Sequence, residues 1–260
     1  MEALVHQLLP TLNALWWPFV RILAMLTAAP VIGDALVPVP VRVLLALALS
    51  FVMLPLAAGG AAIDPMSVHG VVSTIEQAVI GGVLGLAFHF SMAAISMLGF
   101  VVSSQVGFSM AAMNDPINGS SSDVISTLLS MLCIVVFFAI DGHLLLTGVL
   151  GASFKAWPLH GGYGPLLLQS IAANVAWVFA AAMLLALPVV FSTLVVQLGF
   201  GFLNRVAPSL NLFALGFSVI TLFGLLMLGQ LVRVLPEHYI GMTNRVLELI
   251  AQQMRAAGHG

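Results

Sequence analysis

Long uncharged apolar runs, separated by short polar breaks, set the pattern of this chain. No Asp, Glu, Lys or Arg occurs from Gln77 to Asn114, and none between Lys155 and Arg205. A membrane-spanning helix needs about 20 mostly apolar residues. The runs at 12–31, 41–58, 76–102, 124–150 and 210–232 have about that length. The uncharged stretch 156–204 has room for two passes or one long hairpin, with Pro188 near its middle as a kink or the bend. The pattern predicts roughly six or seven hydrophobic segments.

Beyond the last of these, "PEHYIGMTNRVLELIAQQMRAAG" changes period. Tyr239, Met242, Val246, Ile250 and Met254 recur at steps of three or four, which places them on one helical face. Arg245, Glu248, Gln252 and Arg255 fall outside that face. An amphipathic tail over about 236–260 is expected, lying on the membrane surface or against a partner.

Composition turns these runs into membrane segments. Of 260 residues, 61% are hydrophobic and only 6% are charged, and mean hydropathy is +1.16. An ordinary soluble domain is about one quarter charged. So little charge cannot cover a globule in water, and lipid or a large apolar assembly is the natural solvent. The net charge of −2 and the absence of a basic stripe point away from nucleic acid. The single cysteine, Cys133, lies in an apolar run and reads as a buried small hydrophobe. The opening "MEALVHQLLPTLN" lacks the basic stretch and cleavage site of a secretory signal, so insertion is expected to use the chain's own segments. Without a soluble portion of any size, the chain reads as one membrane unit. Arg233, Arg245 and Arg255, at or beyond the last span, favour a cytoplasmic C-terminus.

Several segments are poorly suited to lipid. Arg21 sits inside the first, and a lone arginine at a helix centre costs about 2.5–3.5 kcal/mol on insertion scales. Pro30, Pro38, Pro40 and Pro55 interrupt the second region. Glycine recurs at Gly81, Gly82, Gly85, Gly99, Gly107, Gly199 and Gly201, where small residues let helix backbones approach closely. Two readings follow: ordinary packing within a bundle, or segments packed in a crowded multi-subunit wall and shielded from lipid.

Few polar residues could carry chemistry. Asp141 and His143, in "IDGHLLL", could relay protons or fix a helix junction as a hydrogen-bonded pair, since each needs a partner in a dry setting. His89 reads as a satisfied interhelical donor. The other histidines are scattered without ligand spacing, so no metal site and no cofactor are expected. There is no G-x-S-x-G elbow, H-E-x-x-H motif or phosphate loop, so the chain is read as no enzyme. A small-solute transporter remains an alternative, because Asn114-Asp115-Pro116 could be an unwound binding helix, although a matching interrupted segment elsewhere is missing.

Three colinear blocks resemble one family. "RILAMLTAAPVIGDALVPVPVRVLLALALSFVMLP" is similar to the N-terminal block of the FliR family of flagellar type III export-gate subunits. "VGFSMAAMNDPINGSSSDVISTLLSMLCIVVFFAIDGHLLL" resembles its central block, with Gly-Phe-Ser, Asp-Pro and Gly-His in order. "GFGFLNRVAPSLNLFALGF" resembles its C-terminal block, carrying Asn204, Arg205, Pro208, Asn211 and Phe213.

The resemblance implies an all-α integral membrane protein whose long, interrupted helical hairpins pack in a helical multi-subunit export gate. It implies one FliR-like domain over residues 1–260, in the bacterial inner membrane and flagellar basal body. The implied partners are FliP-like and FliQ-like subunits, a FliB/FlhB-like switch subunit, and unfolded flagellar proteins as cargo. Helices lifted out of the lipid plane would account for the interrupted segments. The resemblance also implies a pore plug at about 106–118, here Gly107, Phe108, Ser109, Met110, Ala111, Ala112, Met113, Asn114, Asp115 and Pro116. Unbranched methionines fill irregular gaps and can repack around varied side chains, while Gly107, Ala111 and Ala112 keep the backbone slim. An interhelical loop is the simpler reading of the same stretch. The structural polar positions are Arg21, Asp141, His143, Asn204, Arg205 and Asn211, with Arg205 expected in a buried bond at a hairpin junction. An injectisome export-gate subunit of the same fold is the nearest alternative function.

Overall fold

The computed structural model describes residues 2–34, 37–57, 64–108, 113–114, 121–159, 165–207 and 212–258. Seven helices carry nearly all of them: α1 (Glu2–Ala28), α2 (Val39–Ala57), α3 (Val68–Val106), α4 (Val124–Ala139), α5 (Gly142–Ala156), α6 (Pro165–Val206) and α7 (Leu212–Gly258). Among the described residues, the single extended feature is a two-residue antiparallel ladder, β1 (Met113–Asn114) on β2 (Ser121–Ser122), pairing Met113 with Ser122 and Asn114 with Ser121. The protein is an all-α membrane protein. Four described helices are long and apolar enough to cross a membrane, and the broken pair α4–α5 brings this to as many as five.

Two expectations from the sequence are corrected. The run 156–204 forms no hairpin: α6 continues through Pro188. A proline removes one backbone donor, but "LLALPVVF" holds no Gly, Asn or Asp on which a turn could form. The hydroxyls after the proline bond back within their own turn and do not reach the carbonyl of Leu184, the one that loses its donor. Ser192 Oγ donates to Pro188 O at 2.6 Å, and Thr193 Oγ1 to Val189 O at 3.0 Å. Likewise, the last span and the amphipathic tail are one 47-residue helix, α7, which runs through Pro236. The tail's apolar face is buried by the chain itself: Tyr239, Met242, Val246 and Ile250 are each at most 8% exposed. Arg245, Glu248, Gln252 and Arg255 point outward, as the periodicity requires.

The chain forms two compact units: residues 1–90, 141–174 and 243–260, and residues 91–140 and 175–242. In the first, α1 packs on α2 and α2 on α5. Helix α3 meets α1 so closely that there is no room for side chains at the contact. A Cβ on Gly81 would lie 2.0 Å from Arg21 O, and one on Gly85 would lie 2.4 Å from Met25 O. This spacing of small residues four apart lets two helix backbones touch. Val83, Leu84 and Ala87 of α3, Trp157, and Leu249 and Ile250 of α7 line one small apolar cavity in this unit.

In the second unit, buried side chains repeat at helical spacing on each element. They are Ile95, Leu98 and Val102 of α3, Leu129, Cys133 and Phe137 of α4, Ala182, Ala186 and Val189 of α6, and Leu228, Leu231 and Leu235 of α7. Cys133 is a core residue, as its apolar neighbours imply. Outside these cores, α2, α6 and the first half of α7 carry many exposed large apolar residues. Val52, Phe191 and Leu222 are among them, at 74%, 66% and 71% exposure. Surface of this kind is stable only when lipid or other protein covers it.

Candidate functional site

The stretch between α3 and α4 is held at both of its stems, each by packing within the second unit. On the α3 side, Val106 is the final helical residue, and its carbonyl has no partner within the helix. Thr221 Oγ1 of α7 donates to that carbonyl at 3.1 Å. The Val106 side chain fills a notch at Gly224, where a Cβ would lie 2.4 Å from Val106 Cγ2. Gly107 follows at φ 86°, a backbone that glycine alone adopts without strain. Its open side faces the ring of Phe217, whose Cε2 would be 2.8 Å from an added Cβ. Phe217, Thr221 and Gly224 are spaced four and three apart, so one face of α7 grips the end of α3.

The α4 stem is fixed by capping. Asp123 is the N-cap: its Oδ1 accepts from Ile125 N at 3.1 Å, and its Oδ2 accepts from Ser126 Oγ at 3.0 Å. An N-cap carboxylate satisfies an orphan amide and meets the positive end of the helix dipole. Ser126 ties α4 to α3 at two points. Its Oγ lies 2.9 Å from Ser96 O and shares its one hydrogen between that carbonyl and Asp123 Oδ2, and its backbone packs where a Cβ on Gly99 would be 2.4 Å from Ser126 Cα. One turn on, the hydroxyls of Ser96 and Ser130 pair at 3.2 Å.

Of the residues implied as a plug, Gly107 and Phe108 sit at the α3 stem, half-buried, and the backbone of Met113 and Asn114 forms β1. Ser109, Met110, Ala111, Ala112, Asp115 and Pro116 lie outside the described residues. The fourth helix starts at Val124 on the Asp123 cap, where the apolar run 124–150 begins. Asp123 was missed as a functional position, although an Asp immediately before an apolar run is an N-terminal helix signal. Phe217, Thr221 and Gly224 had no signal in the sequence, because only the fold sets them beside Val106.

The polar positions fall into two groups. Arg21 is fully buried and tied three ways within the first unit. Its Nε donates to Gln77 Oε1 at 2.7 Å, its Nη1 to Ser153 Oγ at 3.3 Å, and its Nη2 to Trp157 O at 2.8 Å. The guanidinium carbon lies 4.4 Å from the centroid of Phe154, a cation–π contact. These partners are neutral dipoles and a ring face, so the cation is held without leaving water-starved donors in lipid. Asp141 is exposed at the α4–α5 break in a left-handed backbone, φ 55° and ψ 36°. Its carbonyl starts α5 by accepting from Leu144 N at 2.8 Å. His143, in the first turn of α5, is also exposed.

Asn204 and Arg205 are exposed in the last turn of α6, beside Gln197 and Gly201 in a shallow cleft. Among the described residues, the buried bond expected of Arg205 is not formed, because its side chain is exposed. A cation in the last turn instead complements the carbonyl-rich helix end. Asn211 lies outside the described residues. Among the described residues, no group of three His, Cys, Asp or Glu side chains could hold a metal ion.

Comparison with known proteins supplies the context. Residues 12–246 match the family described as bacterial export proteins, family 1. The flagellar biosynthetic protein FliR of Pectobacterium carotovorum subsp. carotovorum is 32% identical, covering 91% of this chain and 90% of that protein. FliR of Escherichia coli strain K12 is 28% identical over 96% of each chain. The surface presentation of antigens protein SpaR of Salmonella typhimurium is also 28% identical, over 67% of this chain and 66% of its own length.

Proposed function

The chain belongs to the bacterial export proteins, family 1, and from that premise we propose that it is a non-enzymatic subunit of a flagellar type III protein export gate. In this reading the whole chain, residues 1–260, works as one unit in the bacterial inner membrane, within the flagellar basal body. It joins FliP-like and FliQ-like subunits, with a FliB/FlhB-like switch subunit alongside, to pass unfolded flagellar proteins. The large exposed apolar surfaces of α2, α6 and α7 suit a subunit whose neighbours complete its packing. Arg205 and Asn204, exposed on an otherwise apolar helix, then find their polar partners across a subunit boundary.

The observation that carries the mechanistic part is the segment held at both stems between α3 and α4. A seal must exclude ions at rest and yield to any unfolded chain. A stretch anchored at Val106 by α7 and at Asp123 by its cap has fixed ends. Between those ends, Gly107, Ala111, Ala112 and the adaptable Met110 and Met113 meet the opposing demand for softness.

Deletion of residues 107–113 from the assembled gate tests this. The expected result is passive passage of small ions across the membrane with the complex still assembled, and a smaller leak for Met110→Ala with Met113→Ala. A tight, fully assembled complex after the deletion ends the plug reading. A second reading, an injectisome export-gate subunit, is favoured by the likeness to SpaR. The longer likeness to flagellar relatives supports the flagellar reading ahead of it.

A further inference from the structure

We propose that Phe217, Thr221 and Gly224 of α7 are positioning residues of the pore-closing segment: they fix the direction in which the chain leaves α3. The proposal rests on the plug reading given above. Three contacts converge on two consecutive residues, each with a distinct job. The notch at Gly224 seats the Val106 side chain and stops α3 from rotating about its axis. The Thr221 hydroxyl holds the Val106 carbonyl, the last one in the helix, and so fixes the plane of the peptide that leads into Gly107. The Phe217 ring closes the space on the open side of Gly107, whose φ of 86° turns the chain out of the helical path.

The order of these contacts along the chain matters. Fixing Val106 alone would leave Gly107 free to swing, because glycine populates positive and negative φ about equally. Phe217 removes that freedom from one side. A ring can do this only where the neighbour lacks a Cβ, and the distance of 2.8 Å leaves no room for one. The α7 face therefore acts on the seal through Gly107 without belonging to it. It also gives α7 a means of influencing closure, since any shift of Phe217 frees the residue where the segment begins.

The test uses the complete gate, with the chain co-expressed with its FliP-like and FliQ-like partners. Passive ion leak and assembly yield are measured in parallel. Thr221→Val removes one hydroxyl and keeps the shape. Leak should rise about fivefold, the population shift that follows loss of one net hydrogen bond, with assembly yield unchanged. Thr221→Ser restores the hydroxyl and should return leak to the wild-type level, which a packing role alone would not do. Phe217→Ala should leak more than Thr221→Val. If Phe217→Ala lowers assembly, the Thr221→Val and Thr221→Ser pair decides. Wild-type leak in both Thr221→Val and Phe217→Ala, alongside a leaking 107–113 deletion, overturns the positioning role and leaves the plug standing. A deletion that stays tight brings down both.

Discussion

Arg21 Nε donates to Gln77 Oε1 at 2.7 Å, with both side chains at most 1% exposed. This pair joins α1 to α3 where the backbones are already in contact at Gly81. It explains how an arginine persists in a segment of this polarity: the charge is held inside protein and never meets lipid. Removing one partner of such a pair strands the other. Gln77→Ala should lower the stability of the gate complex in detergent by about 1–3 kcal/mol. Arg21→Leu should cost more, because it strands Gln77 and the Trp157 carbonyl together. The double variant Arg21→Leu with Gln77→Leu should cost less than the sum of the two single leucine variants, measured by thermal unfolding. Strict additivity would mean the pair is not coupled.

Adjacent glycines on α3 offer an internally controlled comparison. A Cβ on Gly81 would be 2.0 Å from Arg21 O, whereas one on Gly82 meets nothing within 4 Å. Gly81→Ala must push α1 and α3 apart, an overpacking cost of about 1–3 kcal/mol. Gly82→Ala adds only helix propensity and should stabilise by up to about 1 kcal/mol. Equal melting temperatures for the two variants would refute the close approach of α1 and α3.

The α4 stem depends on one carboxylate. Asp123→Ala should destabilise by about 1 kcal/mol, the usual value of an N-cap, and Asp123→Asn should retain most of it, because the amide oxygen still accepts from Ile125 N. The comparison of the two variants by thermal unfolding of the complex checks the assignment. Indistinguishable alanine and asparagine variants would show that the cap contributes nothing.

Arg205 separates packing within the chain from packing between subunits. Because it is exposed here, Arg205→Ala should leave the amount and helix content of the chain in the membrane unchanged. Co-purification with partner subunits should fall, with Arg205→Lys intermediate because an ammonium lacks the planar multi-donor fork. A loss of the chain itself from the membrane, with its helix content lowered, would place its partner inside the chain instead.

The sequence revealed helix class and many helix ends, because those depend on local composition. The stretch free of charge from Gln77 to Asn114 marks most of α3, and the apolar run opening at Val124 marks the start of α4. Continuity was less legible. Pro188 read as a kink or a bend, yet α6 runs through it, since one lost donor does not end a helix with no turn-forming residue nearby. The last span and the tail read as separate segments, yet α7 joins them. The tail's periodicity identified its buried face correctly but not what covers it. The partners of Arg21 were invisible for a different reason. Ser153 lies 132 positions away along the chain, and no local pattern encodes a contact at that distance. The same holds for Phe217, Thr221 and Gly224, whose role exists only where α7 meets the end of α3.

A subunit of an export gate depends on its neighbours for stability, and a self-sufficient membrane protein does not. Co-expression with FliP-like and FliQ-like proteins, followed by size-exclusion chromatography in mild detergent, tests this dependence most directly. One stable complex containing all three proteins is expected, with the chain poorly behaved when expressed alone. A monodisperse chain of equal yield with and without the partners, eluting apart from them, would contradict it.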